Sequence, residues 1–237
     1  MVRLFTPEGG SLSAVAYRAR QSRSRFPGGL DGITLVDAAL TERSPGFLTI
    51  TGAQVRELYW HAKTDFPRTS AASLVCELLM KTQAHGGEAL RLFSLALSLL
   101  EALNRADGPA AERVALAGAV LIARGLSFLP ASCQCVRCEG PGARAGALPH
   151  GAPGGSSSST RVLHLESGEV TCHAHAGSGG GVRLGAGEAA LLARVLAEGL
   201  DFLRTEPPVE ECRALLVRLA PFLERLVNGP VKSLAFL

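Results

Sequence analysis

The stretch that most constrains this chain runs from Cys133 to His175. It opens with Cys133-Gln134-Cys135-Val136-Arg137-Cys138 and closes with Cys172-His173-Ala174-His175. Cys135 and Cys138 form a Cys-x-x-Cys pair, and Cys172 and His175 repeat the spacing with histidine in the last place. Side chains three residues apart on a tight turn aim two donor atoms at one ion. Two such turns together make the tetrahedral site that structural zinc prefers. Three thiolates and one imidazole leave no open position, so the expected zinc holds the fold and does no chemistry. The 33 residues between Cys138 and Cys172 exceed the usual spacing. A disulfide framework is the first alternative, but six cysteines in 237 residues are sparse for one, and no secretory leader opens the chain. Unrelated buried cysteines are the second, and this Gly- and Ser-rich segment offers them little core. Cys133 is a spare thiol beside the site and could replace a ligand; His173 could compete with His175. His150 and His164 read as solvated.

The rest of the chain can bury a sizeable core, since 47% of it is hydrophobic. Its apolar runs stay far below the ~20 residues of a membrane span. We expect a soluble protein of a reducing compartment with no membrane partner. The net charge of +3 is unevenly spread: residues 1–30 hold five arginines (Arg3, Arg18, Arg20, Arg23 and Arg25) against one acid, Glu8.

Short strands are expected at Val2–Thr6, Ser11–Tyr17, Ile33–Leu40 and Phe47–Thr51, separated by turns at Pro7–Gly10, Gly28-Gly29 and Ser44–Gly46. Several short strands with regular turn signals suggest a small OB-like β-barrel over 1–60. From Pro67 the period becomes helical. Thr69 or Ser70 can cap a helix to Gln83. Further helices are expected at Gly86–Leu103, Ala110–Arg124, Gly187–Leu203 and Val209–Val227. Ala110–Arg124 is apolar nearly all round, which suits the centre of a bundle, and Pro221 predicts a kink in the last helix. The chain thus reads as α+β: an OB-like barrel, then an all-α domain over 65–128 and 185–237. A zinc-ribbon-like insert over 129–182 interrupts that domain. The insert carries a linker at 140–160, and Arg161–Leu165 and Glu169–Cys172 read as a hairpin that delivers the second ligand pair. Gly177–Gly181 reads as a flexible return.

These features together resemble a known family. Leu4-Phe5-Thr6-Pro7-Glu8-Gly9-Gly10, then Ala14-Val15-Ala16 and the basic Arg18–Arg25 run, are similar to the second and third strands of the bacterial DNA-repair protein family RecO. Helices interrupted by a metal insert fit the same family, as does the ending Pro230-Val231-Lys232-Ser233-Leu234. The likeness implies a chain shortened at its N-terminus, because the family's first barrel strand has no counterpart before Met1. It also implies a structural metal, with His175 standing where many relatives have cysteine.

An OB-type barrel edged with arginines follows a nucleic-acid backbone by pairing guanidinium groups with phosphates, and exposed aromatics stack on bases. Arg3, Arg18, Arg20, Arg23 and Arg25, interleaved with Phe5, Tyr17 and Phe26, are the expected DNA-binding residues. The bland alternative is a solvated basic loop with aromatics that belong to the core. No phosphate loop and no G-x-S-x-G elbow occurs. His61 and Asp65 lack a nearby nucleophile, and Cys76 and Cys212 sit on apolar helix faces. The reading is an ATP-independent binding protein without enzymatic activity. By resemblance it would bind single- and double-stranded DNA, anneal strands, and help load the RecA recombinase together with RecR and the tail of the single-strand-binding protein. The setting implied is the bacterial cytoplasm, at the nucleoid. An acidic, Phe-ended tail would need a basic apolar groove, for which Arg91, Arg113, Arg213 and Arg218 are available. Two competitors stand beside this: a zinc-ribbon factor of transcription or translation, whose nucleic-acid binding would depend on the metal directly, and a zinc hydrolase, which would need an open metal position.

Overall fold

The computed structural model describes residues 1–17, 19, 26, 30–105, 110–138, 160–177 and 180–236. The chain divides into two compact units, 1–111 with 235–237, and 112–234.

The first unit begins with β1 (Val2–Thr6) and β2 (Gly10–Val15), an antiparallel hairpin. β3 (Leu35–Ser44) and β4 (Phe47–Glu57) form a second, longer one. The sheet order is β1-β2-β4-β3, and β2 runs parallel to β4 through Ala14↔Leu48 and Val15↔Thr49. Among the described residues no ladder joins β1 to β3, so the described strands form an open sheet where a barrel is expected. Alternation along the strands buries Ala14, Ile50 and Ala53 with Phe26, while Val2, Leu4, Leu40 and Leu48 pack around them. The register slips at the β3–β4 tip: Glu42 faces Leu48 and Ser44 faces Phe47, which leaves Arg43 as an extra, unopposed residue.

Three helices follow: α1 (Trp60–Thr64), α2 (Phe66–Lys81) and α3 (Gly86–Arg105). α2 starts earlier than the Thr69 or Ser70 cap predicts. The Asp65 carboxylate accepts the Arg68 amide at 3.4 Å, and Pro67 suits the first turn. Thr69 and Ser70 turn their hydroxyls back instead, to the Asp65 and Phe66 carbonyls at 2.8 and 2.9 Å. Asp65→Ala is expected to cost about 1 kcal/mol, and Asp65→Asn much less. Thermal melts of the two variants check this, and an equal loss in both would show that the cap is not the cause.

α2 and α3 pack on the β1–β2 hairpin. The hairpin therefore shares a compact unit with them, where the sequence reading groups all five long helices in one domain apart from the strands. The anchoring is specific. The Glu8 carbonyl accepts the Gly86 amide at 3.0 Å, and Arg3 and Ser11 both donate to the Met80 carbonyl in the last turn of α2. A guanidinium at a helix C-terminus also complements the helix dipole.

The second unit holds α4 (Ala111–Gly125), which starts at the unit boundary, a three-stranded antiparallel sheet, α5 (Ala186–Glu198) and α6 (Val209–Leu226). α4 is buried nearly all round, as its composition predicts. The Arg124 guanidinium donates to the Leu196 carbonyl, and Arg113 Nε donates to the Pro207 carbonyl at 3.1 Å. β5 (Arg161–His164) and β6 (Val170–Cys172) form the expected hairpin. β7 (Gly181–Leu184) adds a third strand on the other side of β5, beginning at the last residue of the expected Gly177–Gly181 return. The linker at 140–160 lies outside the described residues but for Thr160. α6 continues through Pro221 to Leu226, so the proline does not end the helix. No described helix is long and apolar enough to cross a membrane.

Candidate metal centre and nucleic-acid interface

Two turns build a cluster that could hold a metal ion. The first is Cys135–Cys138, closed by the Cys138 amide on the Cys135 carbonyl at 3.3 Å and tied to β6 by the Val136 amide on the Val170 carbonyl at 3.0 Å. The second is the single 3₁₀ turn His173–His175 at the end of β6, with Cys172 as its last strand residue. Cys135, Cys138, Cys172 and His175 bring one donor atom each to within 4.8 Å of the others. His175 Nδ1 lies 3.6 Å from Cys135 Sγ and 3.4 Å from Cys172 Sγ. Ordinary metal–sulfur and metal–nitrogen lengths in a tetrahedron give an S···N edge of about 3.6 Å, so the cluster has room for one tetrahedral ion at its centre.

The thiols are electrostatically unequal. Burial works against the Cys135 thiolate, but the amides of Cys172 and Arg137, with Cys138 and His175, outweigh it and hold its pKa down at about 6. Burial and the neighbouring Cys135 push Cys138 the other way. A cation between them would relieve this mutual repulsion. Cys133 is buried and His173 exposed, and neither belongs to the cluster. His164, read as solvated, is half-buried and lies 2.9 Å from the Thr171 hydroxyl, one residue before the ligand Cys172. Alternation in a strand could have flagged it. His150 lies outside the described residues. Burial pushes Cys76 and Cys212 up to about 11, which makes both inert.

Of the expected DNA-binding residues, Arg3 lies on the exposed side of β1 with its guanidinium on the α2 C-terminus. Arg18, Arg20, Arg23 and Arg25 lie outside the described residues. The flanking aromatics divide. Phe26 is 6% exposed and belongs to the core, whereas Tyr17 is 50% exposed at the end of β2. Arg43, which the sequence reading passes over, lies with its guanidinium carbon 5.8 Å from the Tyr17 ring centre.

A shallow groove of about 650 Å³ runs along α6, lined by Arg213, Ala214, Val217, Arg218 and Pro221 with Glu188 and Glu210. Pro221 carries no N–H, so the Val217 carbonyl has no helical donor there. Arg213 pairs with buried Glu112 at 2.5 Å, and Arg218 with Glu188 at 3.3 Å. Arg113 is committed to Pro207, and Arg91 lies on α3 in the first unit.

A family model described as "Recombination protein O C terminal" matches residues 63–235. The DNA repair protein RecO of Pelobacter propionicus is 29% identical over 179 residues, 76% of this chain and 66% of its own length. The RecO protein of Anaeromyxobacter sp. strain K is 35% identical over 147 residues, 60% and 55% of the two chains. That of Anaeromyxobacter sp. strain Fw109-5 is 29% identical over 243 residues, covering 100% of this chain and 88% of its own. The matches to the first two span only 55–66% of those relatives' lengths. With the family's C-terminal region recognised from α1 to the closing turn, the chain belongs to the RecO family.

Proposed function

We propose that this chain is a DNA-binding recombination mediator of double-strand-break and gap repair. It binds single- and double-stranded DNA, anneals complementary strands, and helps load the RecA recombinase together with RecR. Membership of the RecO family is the observation that carries this reading. The sheet adds support, because its order and its one parallel pair are those of four consecutive strands in an OB-type barrel. The Arg18–Arg25 run follows β2 directly and supplies the charge for phosphates. Its contacts are indifferent to sequence and weaken steeply with salt.

The cofactor in this reading is one structural zinc on Cys135, Cys138, Cys172 and His175. The zinc contributes charge and geometry, and the four side chains fix the Cys135 turn against the end of β6. The α6 groove is the proposed seat of the single-strand-binding protein tail. Arg213 and Arg218 meet its carboxylates, and Ala214, Val217 and Pro221 meet its apolar end.

Binding of a labelled single strand across a salt series tests the DNA reading. Log Kd is expected to rise linearly with log salt. The variant with Arg18, Arg20, Arg23 and Arg25 changed to Ala should lose about 0.7 of slope per phosphate contact removed. A wild-type protein that binds no oligonucleotide at low salt overturns the reading.

A further inference from the structure

We propose that Tyr17 and Arg43 form a stacking platform that takes unpaired bases and makes this face of the sheet selective for single-stranded over duplex nucleic acid. The inference rests on the nucleic-acid reading above and adds the substrate class of one site within it.

Three observations converge. The first is the β-bulge. Between Glu42↔Leu48 and Ser44↔Phe47 the β3 strand carries one extra residue, and that residue is Arg43. A bulge releases its residue from the alternation of the strand and re-aims the side chain. Here the guanidinium lies over the Tyr17 ring, 5.8 Å from its centre. The second is exposure. Tyr17 stays 50% exposed, while Phe26, in the same stretch of sequence, is buried. The third is charge. Glu42, the acid next to Arg43 in the chain, accepts the Gly46 amide at 2.7 Å, which turns its carboxylate into the hairpin turn. A planar cation on an aromatic ring extends a flat, positively charged surface. Nucleobases stack on such surfaces whatever their sequence, and the edges of the guanidinium remain for phosphate. In a duplex each base face is covered by the next base, so only unpaired bases reach the platform.

The test compares three labelled oligonucleotides of equal length: a single strand, the same backbone with abasic sugars, and a duplex. Wild-type protein is expected to bind the base-bearing strand about 10-fold more tightly than the abasic one. Tyr17→Ala and Arg43→Ala should erase that difference, and each should lose more affinity for the base-bearing strand than for the duplex. Arg43→Lys keeps the charge and loses the plane, so it should keep the salt slope and lose the preference for bases. Wild-type preference retained in both alanine variants, with binding itself intact, overturns the platform and leaves the DNA-binding reading standing. No preference for bases in the wild type overturns it equally. Absence of binding to all three oligonucleotides is the separate failure of the DNA-binding reading.

Discussion

Removing the proposed zinc, by chelation or by Cys172→Ala, is expected to unfold the small sheet of the second unit and to leave β1–β4 with α1–α3 folded. The strands β5, β6 and β7 have four, three and four residues. A sheet that small is marginal by itself in water. What fixes it is the cluster, because Cys172 ends β6 and the Cys135 turn is hydrogen-bonded to the same strand. Structural zinc contributes about 10–16 kcal/mol in zinc-finger peptides near neutral pH, comparable with the whole stability of a domain. Hydrogen exchange should show lost protection across 161–184 after chelation, with 1–105 unchanged. Retained protection at 161–184 would sink the idea that a metal holds this sheet. The pH dependence has a definite sign. Each thiolate that takes up a proton loses the metal, so affinity falls with falling pH and never with rising pH. Cys135 resists longest, since its hydrogen-bond partners hold it ionised down to about 6 against the effect of burial. Metal content measured after dialysis should therefore fall as the pH is lowered, beginning before Cys135 itself is protonated.

The Cys/His cluster was legible because its spacing is local: two three-residue steps name all four side chains that the structure brings together, without any knowledge of the fold. The same locality limited what else could be read. His164 meets Thr171 across the β5–β6 hairpin, a contact that ligand spacing alone does not name although the hairpin itself was expected. Most strands and long helices follow from alternation and 3.6-residue periodicity, yet α2 begins at Phe66 because Asp65, and not Thr69, finds the orphan amide. β7 escaped notice because Gly177–Gly181 reads as linker; the strand starts at Gly181, where a Cβ would lie 2.7 Å from Val162 Cγ1. The strand-to-helix change near residue 60 is plain in the sequence, but compactness follows the contacts of the β1–β2 hairpin with α2 and α3. Charge likewise does not announce its use. Arg3 is one of five arginines near the start, and its guanidinium meets a helix end, whereas Arg43 needed a bulge to reach Tyr17.

Gly10→Ala is expected to destabilise the first unit by about 3 kcal/mol or more, a far larger loss than a surface glycine gives. Two costs add at this position. The backbone has φ +63, a conformation that an L side chain adopts at a cost of about 1–2 kcal/mol. A Cβ there would also lie 2.0 Å from the Ala84 carbonyl oxygen and 3.1 Å from its carbon. The obstacle is backbone and cannot rotate away. It belongs to the link between α2 and α3, which the hairpin grips through Glu8 and Gly86. The hairpin must lift off the helices or the link must move, and either change strains the bonds of Arg3 and Ser11 to Met80. Gly46→Ala separates the two costs, for Gly46 has φ +78 and no atom within 4 Å of an added Cβ. That variant should lose only the conformational part, about 1–2 kcal/mol. Equal losses in the two variants, measured by denaturant unfolding, would show that the hairpin is not seated on Ala84. A larger loss at Gly10 than at Gly46 locates the difference in the hairpin's contact with the helices. Because Gly10 begins the strand that leads to Tyr17, the same variant should also weaken the preference for base-bearing single strands, while Gly46→Ala leaves the hairpin's seat on the helices in place.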